Sequence, residues 1–361
     1  MKKPRLSICL ATYNRAEHIS ETLESMIPQL TDEVEIVVVD GASTDATHEV
    51  VAGYCSICNR IKYKRLAAKG GVDQDFCKAV ELAEGEYCWL FPDDDLFKPG
   101  AIRTVLNETA KGYSLIVVNA EVANKDFSKL LQARRLPIEE NEIYSESSLQ
   151  RLFHRVIPYI SFIGCVVINR DLWLKREKER YFNTEFIHVG VIFQAPLPAP
   201  ALVIAEPLIS IRFGNAQWSQ RAFEIWMIKW PNVLRSFAHI SRNVRMTFEN
   251  PPFSARLRQI LTLRATGAYS LKEFNNWFTS RTSGVFWRLA AFTIALTPAF
   301  LLNFILLSLL NLRKIDSKMT IYTLENNKNN IFFRHDDEKS RFRELRTSNY
   351  SQQRIRDRFD A

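Results

Sequence analysis

The chain has 361 residues, 47% of them hydrophobic and 12% aromatic, which is enough for one large or two modest cores and excludes a disordered or low-complexity polypeptide. Its formal charge of +8 is unevenly spread: residues 1–150 carry 17 Lys and Arg against 24 Asp and Glu, and residues 151–361 carry 31 against 16. The second half is therefore expected to meet something anionic, a membrane surface rather than nucleic acid, because the basic residues are dispersed and an apolar segment accompanies them. Six cysteines sit mostly inside apolar runs, and Cys55-Ser-Ile-Cys58 has no second ligand pair, so they read as reduced cytosolic residues rather than a zinc site or disulfide framework.

In chain order, the basic start is followed by an apolar run, Leu6–Ala11, that stops too soon for a signal peptide and reads as a buried strand. Further β-branched runs fall at Glu35–Val39, Ile61–Leu66, Tyr87–Phe91 and Ser114–Asn119, with helical patterns at Ala16–Ile27, Thr44–Cys55, Asp73–Ala83 and Pro99–Ala110 between them. That alternation predicts an α/β fold with a mainly parallel sheet flanked by helices, and such sheets bind ligands at the carboxyl ends of their strands. The residues following the strands are polar in each case: Thr12 to Arg15, "DGASTD" from Asp40, "AAKGGVDQD" from Ala67, and Asp93-Asp94-Asp95.

Beyond residue 120 the alternation stops. A polar connection is expected over 121–145, then a helix near Glu146–Val156, a strand at Cys165–Asn169, a helix around Thr184–Gln194 and extended chain through "APLPAPALVIAEPLISIRFGN". A helix from Gln217 to Ile240 and two more over Ser254–Thr279 follow. Leu289 to Leu310 is uncharged and long enough to cross a bilayer core of about 30 Å. Pro298 interrupts it, Arg281 and Arg288 precede it, and Arg313, Lys314 and Lys318 follow it. Basic residues on both sides favour a re-entrant or interfacial pair bent at Pro298 over a single crossing.

Three adjacent aspartates at a strand end need a compensating charge. Mg²⁺ or Mn²⁺ takes one or two carboxylates together with phosphate oxygens, and such an ion also neutralises a departing diphosphate. "LSICLATYNRAEHI", "EIVVVDGASTDAT" and "KGGVDQDFCKAVELAEGEYCWLFPDDDLFKPGAI" together resemble the nucleotide-sugar motifs of family 2 glycosyltransferases, over about residues 5–120. "IRFGNAQWSQRAFEIWMIKWPNVL" further resembles the bacterial enzymes related to abequosyltransferase, which build O-antigen and other surface polysaccharides.

The resemblance implies the GT-A fold, with a nucleotide-sugar half over 1–120, an acceptor half over 121–245 and a helical linker over 246–284. A membrane-associated segment over 285–312 and a charged tail over 313–361 would follow. It implies an inverting transfer of one sugar from a nucleotide-diphosphate sugar to a polyprenyl-diphosphate-linked saccharide, on the cytoplasmic side of the bacterial inner membrane. Thr12, Tyr13 and Arg15 would line the nucleotide pocket, and Asp40 would accept from N3–H of uracil or the amine of cytosine. Gly70 and Gly71 would let the backbone approach, with Asp73 nearby, and Asp93 and Asp95, with Asp94 adjacent, would hold Mn²⁺ or Mg²⁺. The chain departs from the family pattern at Pro92, where relatives carry Asp, and at "DQD", where an arginine often stands.

Relatives place an acidic base at a helix start that corresponds to "NTEFIHVGVIF" here. Glu185 and His188, three apart, would share a helix face, and His188 lies nearer the relatives' aspartate. "RFGNAQWS" is expected over the site: Arg212 on a diphosphate, Asn215 and Trp218 on a sugar. Two other readings are a nucleotidyltransferase, for which "LATYNRAEHI" lacks the usual glycine-rich loop, and a non-catalytic nucleotide-binding membrane subunit, which would tolerate loss of the base.

Overall fold

The computed structural model describes residues 3–278, 284–312 and 318–330. It divides into two compact units: residues up to Asn215 with Glu224–Pro251, and Ala216–Phe223 with the described residues from Pro252 onward. Arg281, Arg313, Lys314 and most of the charged tail lie outside the described residues.

In the first unit, β1 (Leu6–Thr12), β2 (Val34–Asp40), β3 (Ile61–Arg65) and β4 (Tyr87–Phe91) alternate with α1 (Ala16–Met26), α2 (Thr47–Ile57) and α3 (Val72–Leu82). Every residue of β1, β2 and β4 is buried, which is why these strands read as continuous apolar runs and not as alternating ones. Beyond β4 come β5 (Leu96–Phe97), α4 (Ala101–Thr109) and β6 (Leu115–Ala123). They are followed by β7 (Leu130–Gln132), β8 (Glu142–Tyr144), α5 (Leu149–Val156) and β9 (Val166–Asn169). The unit's later elements are α6 (Arg170–Lys175), α7 (Ile187–Phe193) and β10 (Ala201–Arg212).

The sheet runs β3-β2-β1-β4-β9-β6-β10-β5, with β7 on β6 and β8 on β10. The first four strands are parallel, as the alternation predicts. The rest corrects that expectation: β9 inserts antiparallel between β4 and β6, so the sheet is mixed. Trp89 anchors the insertion by donating its indole N–H to the Gly164 carbonyl at 2.8 Å, just ahead of β9. The expected polar connection over 121–145 instead extends β6 and supplies β7 and β8.

The helix expected over 217–240 is broken. A 3₁₀ turn (Ser219–Arg221), a single α turn, α8 (Ala222–Glu224), and a π turn (Ile225–Lys229) precede α9 (Trp230–Arg235). Pro231 has no N–H to give the i−4 carbonyl, so the turn before it widens. Then follow α10 (Arg242–Glu249) and, in the second unit, α11 (Phe253–Ala265), α12 (Leu271–Phe278), α13 (Val285–Leu296), α14 (Ala299–Leu312) and α15 (Lys318–Glu325). The helices α13 and α14 meet at 104° across Thr297 and Pro298, the bend expected from the proline. Among the described residues no single helix is long and apolar enough to cross a membrane.

Candidate active site

The loops after β1 and β2 are tied together side chain to backbone. Ser43 Oγ accepts from the Asn14 N–H at 2.9 Å, the Asn14 carboxamide oxygen accepts from the Thr44 N–H at 2.8 Å, and Thr47 Oγ1 accepts from the Arg15 N–H at 2.9 Å. Asp45, two residues ahead of α2, satisfies its first N–H, the carboxylate accepting from the Thr47 N–H at 3.0 Å. Asn14 and Ala42, in these two loops, hold positive φ, as do Asn183 and Glu185 near α7. Non-glycine residues rarely adopt that region, and four of them around one sheet edge mark backbone held against its preference.

The aspartates stand where β4 ends. Asp93 is 7% and Asp95 2% exposed. Arg15 supplies part of the missing charge, its guanidinium 3.4 Å from Asp93 Oδ1 and 3.1 Å from Asp94 Oδ2. Asn215 donates to Asp94 at 2.9 Å, and the Arg212 N–H donates to Asp95 Oδ1 at 2.7 Å. Even so, burial, reinforced by the Asp94 charge, pushes Asp93 up to about 7 and Asp95 well above the usual carboxylate range. Arg15, with an Arg212 that is itself paired with Glu21, stands against three carboxylates, so the cluster is left short of positive charge. Hard carboxylate oxygens are the donors Mg²⁺ and Mn²⁺ take, so the residues fit such an ion. Among the described residues no group of three or more His, Cys, Asp and Glu side chains is placed to hold a metal ion by itself, so phosphate oxygens would have to supply much of the shell.

Along the same edge, Asp40 is fully buried: its Oδ2 accepts from the Tyr63 hydroxyl and its Oδ1 from the Ser43 N–H, each at 2.7 Å. Asp75, quoted in the sequence but not singled out, sits beside it. Burial, and then the charge on Asp40, push Asp75 up to about 6, and its Oδ1 has no hydrogen-bond partner. A Cβ on Gly41 would lie 2.6 Å from Asp75 Oδ2, so a larger residue there would push the carboxylate from its place. The sole sequence signal for Asp75 was its place in the first turn of α3, where helix-dipole preference explains an acid equally well.

Tyr13 carries the Lys69 ammonium 3.6 Å over its ring, while Thr12 is buried at the end of β1. Gly71 takes φ of +117° to start α3, whereas a Cβ on Gly70 would meet only the flexible end of Gln74. Asp73 faces the start of α7: its carboxylate accepts from the N–H groups of Glu185 at 3.0 Å and Ile187 at 3.2 Å. Burial raises it to about 6 against the pull of those two N–H groups. It thus fixes the turn that carries Glu185.

Glu185 and His188 do not share a helix face, because α7 begins only at Ile187. Glu185 precedes it with φ of +70° and lies half-buried, 3.5 Å from Lys229 Nζ. His188 is sealed at 1% exposure, with Nε2 2.8 Å from the Ile160 carbonyl. A carbonyl only accepts, so Nε2 carries the proton and the bare Nδ1 is buried without a partner. The structure places this histidine in the core, away from any hydroxyl an acceptor would present.

Burial lowers the His188 pKa to about 4, below its ordinary 6.5. Its neutral ring therefore stabilises the fold fully above pH 6.5, and that contribution fades as pH falls toward 4, by on the order of 3 kcal/mol. His188→Gln, which keeps a donor but cannot titrate, is expected to flatten that part of the acid limb in urea unfolding measured against the wild type. Parallel curves across this window would show that the imidazole is not sealed as described.

Arg212, expected on a diphosphate, is committed inside the protein. Its Nε donates to the Asp94 carbonyl at 2.8 Å and Nη1 to the Lys125 carbonyl at 2.7 Å, Nη2 pairs with Glu21, and the Phe127 ring stacks 4.3 Å away. It braces the aspartate turn. Asn215 touches Asp94 and, through its carbonyl, Arg15 at 3.3 Å. Trp218 belongs to the second unit and is 40% exposed. A cleft lined by Ala42 and Lys64 to Ala67 opens at the ends of β2 and β3.

Residues 7–173 match the family model described as glycosyl transferase family 2. The abequosyltransferase RfbV of Salmonella typhimurium is 26% identical over 267 residues, covering 68% of this chain and 79% of that protein. A Campylobacter jejuni protein named GalNAc(5)-diNAcBac-PP-undecaprenol β-1,3-glucosyltransferase is 28% identical over 152 residues, 42% of this chain and 49% of the other. The crystal structure of Staphylococcus aureus TarS 1–349 in complex with UDP superposes with a TM-score of 0.56 at 18% identity, covering 89% of this chain and 90% of that one. That last likeness concerns the fold alone.

Proposed function

From a chain that is a family 2 glycosyltransferase, its GT-A-like sheet carrying that family's domain over residues 7–173, we infer the following reaction. The enzyme moves one sugar, with inversion, from a nucleoside-diphosphate sugar to a polyprenyl-diphosphate-linked saccharide in the assembly of a bacterial surface polysaccharide. It works at the cytoplasmic face of the inner membrane. The observation that carries this reading is the convergence, at one sheet edge, of the buried aspartates after β4 with Arg15, Asn215 and the loop after β2. The names of the Salmonella and Campylobacter relatives support the substrate classes.

Asp93 and Asp95 are the residues that would hold Mn²⁺ or Mg²⁺, which when bound neutralises charge on the leaving diphosphate. Arg15 fixes Asp93 and Asp94 from the side of β1 and keeps the carboxylates from repelling one another apart. Tyr13, oriented by Lys69, offers a ring face to base or ribose, whereas Asp40, expected at the base edge, is fully buried and holds the loop after β2 and Tyr63 in place instead of facing the pocket. Glu185, held by Asp73, takes the acceptor hydroxyl proton on its carboxylate as the new bond forms.

Binding of UDP, CDP, GDP and dTDP to the full-length protein, each with Mn²⁺ and with EDTA, tests the reading. One diphosphate should bind, and chelation should weaken it at least about tenfold. Folded protein that binds none of the four would overturn it.

A further inference from the structure

The second unit contains a helix built inside out. In α14 the one fully buried side chain is Asn303, which donates to the Leu324 carbonyl on α15 at 3.1 Å, while Phe300, Leu301, Ile305, Leu309 and Leu312 face outward. Its neighbour α13 shows Phe286 at 85% and Leu289 at 58% exposure. In water this arrangement is backwards, since polar groups belong outside and apolar ones inside. Against hydrocarbon it is correct, because an intramembrane polar residue turns toward protein.

The bend between the helices is held by two separate devices. Thr297 is driven out of the helical region (φ −66°, ψ 132°) by the proline that follows it. Its carbonyl, freed by the break, accepts from Arg264 Nε at 2.7 Å, and Arg264 Nη1 also holds the Tyr269 carbonyl at 3.1 Å. Tyr269 in turn donates its hydroxyl to the Ala291 carbonyl at 3.1 Å, and Arg256 stacks 5.2 Å from the Trp287 ring. The elbow is therefore bolted to α11 and its following turn. Straightening it into one span would strand a guanidinium and a carbonyl.

The limbs are 12 and 14 residues long, about 18 and 21 Å at 1.5 Å per residue, against a hydrocarbon core of about 30 Å. Neither is long enough to cross alone, and the pair is bent by 104° at its break, far from the straight rod of a single span. Residues 252–330 carry 10 Lys and Arg against 3 Asp and Glu, whereas Leu289 to Leu312 carry no charge at all. A basic excess in the sequence on both sides of an uncharged apolar stretch suits anionic headgroups above acyl chains.

We propose that α13 and α14 form a wedge that enters a single leaflet of an anionic phospholipid membrane and leaves it on the side from which it came. This deepens the membrane part of the function inferred above and shares that premise.

The full-length protein, transferred from detergent to vesicles, tests it by flotation and by protease access to a C-terminal tag. With phosphatidylcholine–phosphatidylglycerol vesicles the protein should float, with the tag cleaved by protease added outside. Vesicles of phosphatidylcholine alone, or the Phe300→Asp/Leu309→Asp variant, should each reduce the floated fraction about tenfold. A tag protected inside the vesicles would mean a crossing and would overturn the wedge. Flotation indifferent to phosphatidylglycerol would overturn the anionic assignment. Protein that stays down as a dimer, yet transfers sugar to a detergent-soluble acceptor, would give the face to a second copy and leave the transferase reading intact. Because the topology arm uses unaltered protein, a variant that fails to fold does not blunt the test.

Discussion

Asp95→Asn is expected to lower sugar transfer about 10²- to 10³-fold, on the order of 3 to 4 kcal/mol of transition-state stabilisation, while leaving the fold intact. The side chain is almost fully buried, and its Oδ1 accepts the Arg212 N–H at 2.7 Å. An asparagine keeps that acceptor in the same volume, so the bond that anchors β10 to the aspartate turn survives. What disappears is one negative charge. If that charge helps hold a divalent ion, nucleotide binding should lose its dependence on Mn²⁺ in parallel with activity. Asp95→Ala would be a poorer choice, since it also orphans a buried N–H and mixes catalysis with stability. If Asp95→Asn transfers sugar within threefold of wild type, the aspartate does its work uncharged and the metal assignment falls.

The same residue shows where sequence reading succeeds and where it stops. The first four strands and their helices were legible within a few residues because each is signalled locally, by β-branched runs buried on both faces and by helical periods between them. The edge that carries Asp40 and Asp93 followed from that order alone. The insertion of β9 between β4 and β6 was not legible, because its pairing partners are far away in sequence and nothing in "VVIN" says which strand it will join. Arg212 read as a free cation for a related reason: the partners of its guanidinium at Glu21, Asp94 and Lys125 are 191, 118 and 87 residues away. Spacing reports faces of one element. It does not report which remote carboxylate will fill a guanidinium.

The catalytic base exposes a subtler failure. Three-residue spacing puts two side chains on one face only if both residues are already helical, and Glu185 is not. Its positive φ turns it away from the direction His188 takes into the core. Asp73 keeps that turn, an acid 112 and 114 residues from the two N–H groups it binds, so the correct geometry depended on a contact no local pattern encodes.

Glu185→Gln is therefore expected to reduce kcat about 10²- to 10⁴-fold with donor affinity unchanged, the range for removal of a general base. The substitution preserves shape and the N–H bond to Asp73, because that bond uses the backbone. It also leaves Lys229, 3.5 Å away, with Glu224 at 3.6 Å as a second carboxylate, so the local charge balance does not collapse. Uniform weakening of substrate would appear as a raised KM, whereas a lost proton acceptor appears in kcat. The measurement is steady-state transfer to a lipid-linked acceptor, paired with diphosphate binding to the same variant. His188→Gln, measured alongside, should keep wild-type kcat at neutral pH, where the native ring is already uncharged. The reverse pattern, an active Glu185→Gln and a dead but folded His188→Gln, would return the proton to the imidazole. It would also require Nδ1, now enclosed by the core, to reach the acceptor.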